Sequence, residues 1–335
     1  MKPAVLVTGA TGFLGAALAR ELASRGHAVH ALVRPRSDRA ALAGVDVRWH
    51  AGDLEDMASL ERAVDAVCAL AERPWIAHSA AVISYRSRDA ELQRRVNVEG
   101  TRALLDVCAR HPVGRVLHIS SVVAVGHARP GELLDEDAPF NGAELHSDYV
   151  DTKRAAEELA LERARELDLV VVNPGAIFGP NAREGNTLRF LRKLASGAIG
   201  PFAPPGSLSV VGVDDVARGC ALALERGARG RRYLLVESAL TALEAFRIAA
   251  RLLDVRPPRW TVPPVLWSPL VLAARATDAL RPNELFTPAT LRMLGAHFRF
   301  HAARARAELG WQPRTFEGVL SETIESLRRR GALVR

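Results

Sequence analysis

The sequence predicts an α/β protein: a doubly wound parallel sheet followed by a smaller, mostly helical C-terminal cap. Three observations predict it. Short apolar runs alternate with helical patterns through the first half of the chain, the rhythm of parallel strands joined by crossover helices. Three glycines, at 9, 12 and 15, mark the turn between the first apolar run and the first helical pattern. Beyond Pro174 the alternation stops, and proline-rich stretches and helical patterns take over. With 335 residues, the chain has room for one large core and a smaller companion.

Taken in order, strands are expected near 4–8, 28–33, 45–49, 74–78, 115–120 and 169–173, with helices near 13–25, 56–66, 89–110 and 147–167. Two loop-like stretches follow, 197–206 and 256–269. Between them, 208–213 reads as a further strand and 214–225 as a helix that returns to the first domain. The expected division is 1–177 for the sheet domain, with 207–230 returning to it. A discontinuous cap of 178–206 and 231–335 would cover the strand ends.

Composition narrows the function classes. At 48% hydrophobic and 25% charged, the chain can bury a core and is too apolar for a disordered tail. Its net charge is +7, but the basic residues are scattered. The tightest clusters, 229–232 and 328–330, are too short for a nucleic-acid arm, so no nucleic-acid partner is expected. A diffuse positive field favours anionic ligands. Cys68, Cys108 and Cys220 are odd in number and widely spaced, which excludes a disulfide framework and a zinc site and fits the reducing cytoplasm. No signal peptide is expected, because the start runs directly into an apolar strand. The longest apolar stretch, 262–274, is broken by Pro263, Pro264 and Pro269 and is too short to span a bilayer. It reads as a pocket wall or an interface.

The turn reads Thr8-Gly9-Ala10-Thr11-Gly12-Phe13-Leu14-Gly15. Glycines at this spacing permit a tight turn, close approach of backbone to a pyrophosphate, and close helix–strand packing. The helix N-terminus then faces the phosphates with unpaired N–H groups. The sheet is therefore of the Rossmann type and the ligand a dinucleotide. Where an NAD site carries an acidic residue after the second strand, this chain has Arg34-Pro35-Arg36-Ser37. A guanidinium there can pair with a 2′-phosphate, which points to NADP(H), with NAD(H) as the alternative. The plain reading is a pair of surface arginines. Asp53 and Leu54 follow the third strand, where the carboxylate can accept from the adenine amino group or cap the next helix.

Tyr149 and Lys153 stand four apart on one helix and share a face. An ordinary tyrosine ionises near 10; an adjacent ammonium lowers that value by favouring the phenolate. Such a pair arises easily by chance. The chain, however, has three lysines (Lys2, Lys153, Lys193) among 45 basic residues, so a generic surface cation here would be Arg. Lys153 is thus singled out for the compact geometry of its ammonium. Ser120 and Ser121 end the fifth strand, where a hydroxyl can orient a substrate oxygen against Tyr149.

With these residues in view, the chain resembles the extended short-chain dehydrogenase/reductase (NAD-dependent epimerase/dehydratase) family, in its dihydroflavonol reductase-like and hopanoid-associated epimerase-like branch. The resemblance rests also on His78-Ser79-Ala80-Ala81, Asn97-Val98-Glu99-Gly100-Thr101, Asn173-Pro174-Gly175 and Val213-Asp214-Asp215-Val216-Ala217. Near the end it includes Ala307-Glu308-Leu309-Gly310-Trp311-Gln312-Pro313. It implies catalysis by Ser121, rather than Ser120, with Tyr149 and Lys153. It implies cofactor contacts from Gly9, Thr11, Gly12, Phe13, Leu14, Gly15, Ala80, Ala81, Asn97, Pro174 and Gly175, beside Arg34, Asp53, Leu54, Tyr149 and Lys153. His78 alone reads as a core histidine; within this motif it lines the cofactor cleft. A homodimer through the helices near 89–110 and 147–167 is a family expectation.

The family holds reductases, hydroxysteroid dehydrogenases, sugar-nucleotide epimerases and dehydratases. Here Ser121 precedes Val122 and Val123 where dehydratases carry an acidic pair. Leu208-Ser209-Val210 and Leu234-Leu235-Val236-Glu237 occupy the places of the epimerases' sugar-nucleotide segments. The expected activity is NADPH-dependent reduction of a ketone or aldehyde, or the reverse oxidation, on a fairly apolar small molecule. A pocket built with Phe178, Phe202, Trp260, Trp267 and Phe286 would receive it. A nucleotide-sugar epimerase, a hydroxysteroid dehydrogenase-like enzyme and a non-catalytic NADP(H) sensor are the alternatives.

Overall fold

Seven parallel strands form the central sheet of the computed structural model, which describes residues 2–180, 186–280 and 287–333. The chain opens with β1 (Val5–Thr8), α1 (Phe13–Ser24), β2 (Val29–Val33), β3 (Val47–Ala51), α2 (Met57–Cys68) and β4 (Trp75–His78). A composite helix follows: α3 (Ala90–Gln93), a π-helical turn (Arg94–Glu99) and α4 (Gly100–Arg110). Next come β5 (Arg115–Ile119), α5 (Asp148–Arg163), β6 (Leu169–Pro174), β7 (Ala176–Phe178), α6 (Asn186–Ala195), β8 (Phe202–Ala203) and β9 (Ser207–Gly212). The chain continues through α7 (Val213–Arg226), β10 (Arg232–Leu235), β11 (Ser238–Thr241), α8 (Ala242–Leu253) and β12 (Trp260–Thr261). It ends in α9 (Pro264–Leu280), α10 (Pro288–Gly295), α11 (Ala303–Leu309) and α12 (Phe316–Arg329).

The sheet order is β3-β2-β1-β4-β5-β6-β10. Every residue of β1, β2 and β6 is buried, which is why these strands read as unbroken apolar runs rather than alternating ones. The alternation survives in which core each side chain joins. Val5 and Val7 enter the core under α1 and α7, while Leu6 enters the core under α2, α4 and α5. Helices thus cover both faces, as a doubly wound sheet requires. Order reverses between β1 and β4, so the crevice for a ligand opens at the carboxyl ends of those two strands.

A second body is built from the three-stranded sheet β11-β9-β7 with α6, α8 and α12. Its core joins Phe178, Leu191 and Val210 to Ala249, Phe316 and Leu320.

The structure corrects four sequence expectations. The helix near 89–110 is interrupted by the π turn at 94–99. The strand near 208–213 belongs to the three-stranded sheet, and only α7 returns to pack on α1. Assigning 231–335 wholly to the cap is wrong for 232–235: β10 pairs with β6 and closes the central sheet, with Leu234 opposite Asn173. Finally, 256–269 is not all loop. Pro264 takes the first position of α9, where no N–H is needed, and Pro269 is accommodated inside the helix.

Candidate active site

The glycine turn meets the loop after β4 at the switch point. Gly9 has φ +66°, and a Cβ there would lie 2.8 Å from the Ala80 backbone. A Cβ on Gly15 would stand 2.1 Å from the Gly9 carbonyl oxygen, and one on Gly12 at 3.2 Å from the same atom. The first helical turn can therefore lie against the loop only as glycine. Gly12 is the N-cap of α1 and offers no side-chain cap, so the N-terminal N–H groups are left for an anion. Thr8 ties the two loops together: its Oγ1 accepts from Ala80 N at 3.2 Å and lies 2.8 Å from His78 Nδ1.

Tyr149 and Lys153 lie on α5, both buried. The Lys153 ammonium donates to the Ile119 carbonyl at 2.9 Å. Burial pushes its pKa down to about 8, and the Glu157 carboxylate one turn later opposes the fall. The Tyr149 phenol moves the other way. Burial raises its pKa above the usual value, and the hydrogen bond with Ser121 partly offsets the rise. Desolvation dominates at the phenol, while the Lys153 ammonium is engaged by the end of β5. Ser121, not Ser120, meets the phenol; the Ser120 hydroxyl is buried without a hydrogen-bond partner.

A ring of buried polar groups holds these three residues. Asn97, on the π turn, clamps Val82 through both backbone groups, accepting from its N–H at 2.7 Å and donating to its carbonyl at 2.9 Å. It also donates to Thr152 on α5 at 3.3 Å. Asn97 thus braces the loop after β4. His78 is held between Thr8 and Thr101. Thr101 donates to the Asn97 carbonyl, so its hydroxyl accepts from His78 Nε2 at 2.9 Å. Burial and the nearby Lys153 charge hold that imidazole neutral, with its pKa pushed down to about 3. Asn173 donates to the Ser121 carbonyl at 3.0 Å and to Glu157, which Arg232 approaches at 3.1 Å.

Tyr85 escaped the sequence reading. Its ring meets Tyr149 edge to face, with centroids 5.7 Å apart, and its carbonyl accepts from Thr287 Oγ1 at 3.0 Å just before α10. A lone tyrosine in a loop carries no spacing signal; a ring directly before Arg86 and Arg88 looks like any surface aromatic.

After β2, Arg34 and Arg36 are exposed and border a depression with Pro35 and Ser37. Asp53 closes a turn by accepting from Glu55 N at 3.1 Å, and Asp56 takes the role of N-cap for α2. Leu54 is buried against Gly100. Pro174 ends β6, and a Cβ on Gly175 would lie 2.4 Å from the Ser209 carbonyl oxygen, so this glycine serves strand packing. The expected aromatic pocket is not assembled. Phe178 is core, packed edge to face on Phe316 at 5.0 Å. Phe202 and Trp260 pair on the surface, and Trp267 docks α9 on α10 by donating to the Leu291 carbonyl at 3.0 Å. Phe286 lies outside the described residues.

Comparison with known proteins agrees with this geometry. The model of the NAD dependent epimerase/dehydratase family matches residues 5–235. Sterol demethylase protein B of Methylococcus capsulatus is 35% identical over 98% of this chain and 99% of its own. A 4-hydroxy-2-methyl-3-oxo-4-farnesyl-3,4-dihydroquinoline-1-oxide ketoreductase of Stigmatella aurantiaca is 28% identical over 97% of this chain and 96% of its own. The crystal structure of gox2253 superposes with a TM-score of 0.87 at 32% identity, covering 99% of this chain and 100% of that one.

The opposition between burial and Glu157 at Lys153 has a direct test. With three lysines in the chain, isotope-labelled lysine gives a resonance that can be assigned by substitution. Lys153 is expected to titrate near 8, and Glu157→Gln is expected to move that midpoint to lower pH. An unchanged midpoint in a folded variant would show that Glu157 does not support the charge.

Proposed function

This chain belongs to the NAD dependent epimerase/dehydratase family of extended short-chain dehydrogenases/reductases, and we propose that within it the protein is an NADPH-dependent reductase of a ketone or aldehyde on a largely apolar small molecule. One observation carries the reading: a buried phenol hydrogen-bonded to Ser121, one helical turn before a buried Lys153. A general acid must still own its proton when the substrate arrives, as a phenol does at neutral pH.

The glycine cradle fits a dinucleotide sterically, because its close backbone approaches leave no room for a Cβ. Gly9, Thr11, Gly12, Phe13, Leu14 and Gly15 would hold the pyrophosphate, with Ala80 and Ala81 as the opposite wall. Asp53 and Leu54 would border the adenine, Arg34 with Arg36 would pair with a 2′-phosphate, and Pro174 and Gly175 would border the nicotinamide. When bound, the dinucleotide supplies the hydride. Ser121 orients the substrate carbonyl through its oxygen. Tyr149 gives its phenolic proton to that oxygen as negative charge develops on it. Lys153 would steady the resulting phenolate and would hold the nicotinamide ribose.

An apolar substrate is supported by two relatives whose names specify a sterol and a farnesylated quinoline oxide. Support against a nucleotide sugar comes from the late strands. Leu234, Leu235 and Ser209 are all buried, so these side chains present no donor to a pyrophosphate.

Tyr149→Phe is expected to keep the fold and cofactor affinity while lowering kcat by about 10²–10⁴-fold in NADPH-consumption assays over aldehydes, ketones and sterols. Near wild-type turnover would rule out the phenol as the acid. Charge-assisted bonds of about 1.5–3 kcal/mol imply that NADPH is preferred over NADH by roughly 10–150-fold, and Arg34→Asp should narrow or invert that preference. Equal kcat/KM for both cofactors in the native protein would make Arg34 a surface residue.

A further inference from the structure

Helix α9 is apolar on the wrong side. Successive residues of a helix turn by about 100°, so Trp267, Val271 and Ala274 form one stripe, and that stripe faces α10. The opposite face should be polar if water covers it. Instead it presents Val265 (76% exposed), Leu266 (55%), Leu270 (46%) and Leu272 (66%), with Pro269 and Ala273 between them. Immediately before the helix, Trp260 (54% exposed) and Phe202 (50%) set their rings 5.6 Å apart, tilted by 36°, across the two-stranded sheet β8-β12. A contiguous apolar surface of this kind marks a binding site rather than ordinary exposure.

The charge around it selects the occupant. Across 197–206 and 256–274 there is no acidic residue, and the charges present are Arg256 and Arg259, both exposed beside Trp260. Apolar side chains, an aromatic pair and cations at one end form the pattern that lies in the headgroup region of an anionic bilayer. The apolar run is too short to cross one, and among the described residues no helix is long and apolar enough to do so. We propose that the outer face of α9, with Phe202, Trp260, Arg256 and Arg259, docks this protein on the surface of an anionic lipid membrane without spanning it.

The surface is linked to the candidate site through α10: Trp267 binds its C-terminal part, and Thr287 at its N-cap donates to Tyr85, the ring against Tyr149. The proposal does not depend on the redox reading, and its test needs neither substrate nor cofactor. The full chain is sedimented with vesicles of phosphatidylcholine alone and of phosphatidylcholine mixed with phosphatidylglycerol. Binding to the mixed vesicles is expected. Joint replacement Leu266→Asp, Leu270→Asp and Leu272→Asp should weaken it about tenfold or more, with the melting temperature unchanged because these side chains are exposed. Arg256→Glu with Arg259→Glu should remove the preference for the anionic vesicles. No binding of the native chain to either vesicle would overturn the proposal. So would a native dimer that the leucine replacements convert to a monomer by light scattering without any change in vesicle binding, since the face would then pair two copies of the chain.

Discussion

A buried ammonium is the constraint to which the centre of this protein answers. Taking a charge of that size out of water costs several kcal/mol even after the protein relaxes, and it persists only when paired and hydrogen-bonded. Lys153 is 4% exposed and Glu157, one turn further along α5, is fully buried. The carboxylate is in turn held by Asn173 of β6 and approached by Arg232 of β10, while the ammonium donates to the end of β5. Three neighbouring strands and one helix thereby share a single charge network. The rotation of α5 against the sheet follows from it, and with that rotation the face on which Tyr149 stands. β10 at the sheet's edge is part of the same arrangement, since it supplies the outermost cation.

The environment that makes Lys153 costly also raises the phenol. Two groups on one face of one helix are driven in opposite directions by burial: the ammonium toward losing its proton, the phenol toward keeping it. Burial does this to any amine and any phenol; what sets this pair apart is that both stand on one face of α5 with Ser121 at the phenol. Around it the polar groups are spent on support. His78 is kept neutral between two threonines, and Asn97 is committed to Val82, so neither competes for the proton. The π turn belongs to this support, because it carries the Asn97 amide that braces the loop opposite the glycine cradle.

Strands buried on both faces write themselves as apolar runs, which made β1, β2 and β6 legible; the half-exposed β3 was found only from its place in the alternation. The glycine turn was legible because its steric demands are severe enough to exclude any side chain at Gly9 or Gly15. Tyr149 and Lys153 were legible as an i, i+4 pair in a chain that otherwise uses arginine. Other features lacked a local signal. β10 is four residues beginning at Arg232, and its place depends on a strand 61 residues earlier in sequence, with Leu234 opposite Asn173. The start of α9 was masked by prolines whose positions a helix tolerates. Tyr85 becomes part of the site only through the ring it meets. The direction of the Tyr149 shift depends on burial, which a spacing rule does not carry.

The central claim is that Tyr149 delivers a proton to a carbonyl oxygen in the same turnover that places a hydride on its carbon. Following deuterium from 4-deuterated NADPH tests it most directly, with ketones and with UDP- and dTDP-sugars offered to the same preparation. The account predicts deuterium at the carbinol carbon of the reduced ketone, with one reduced cofactor consumed for each alcohol formed. Turnover of a nucleotide sugar to its epimer with no net consumption of reduced cofactor, and no ketone reduced, would contradict it.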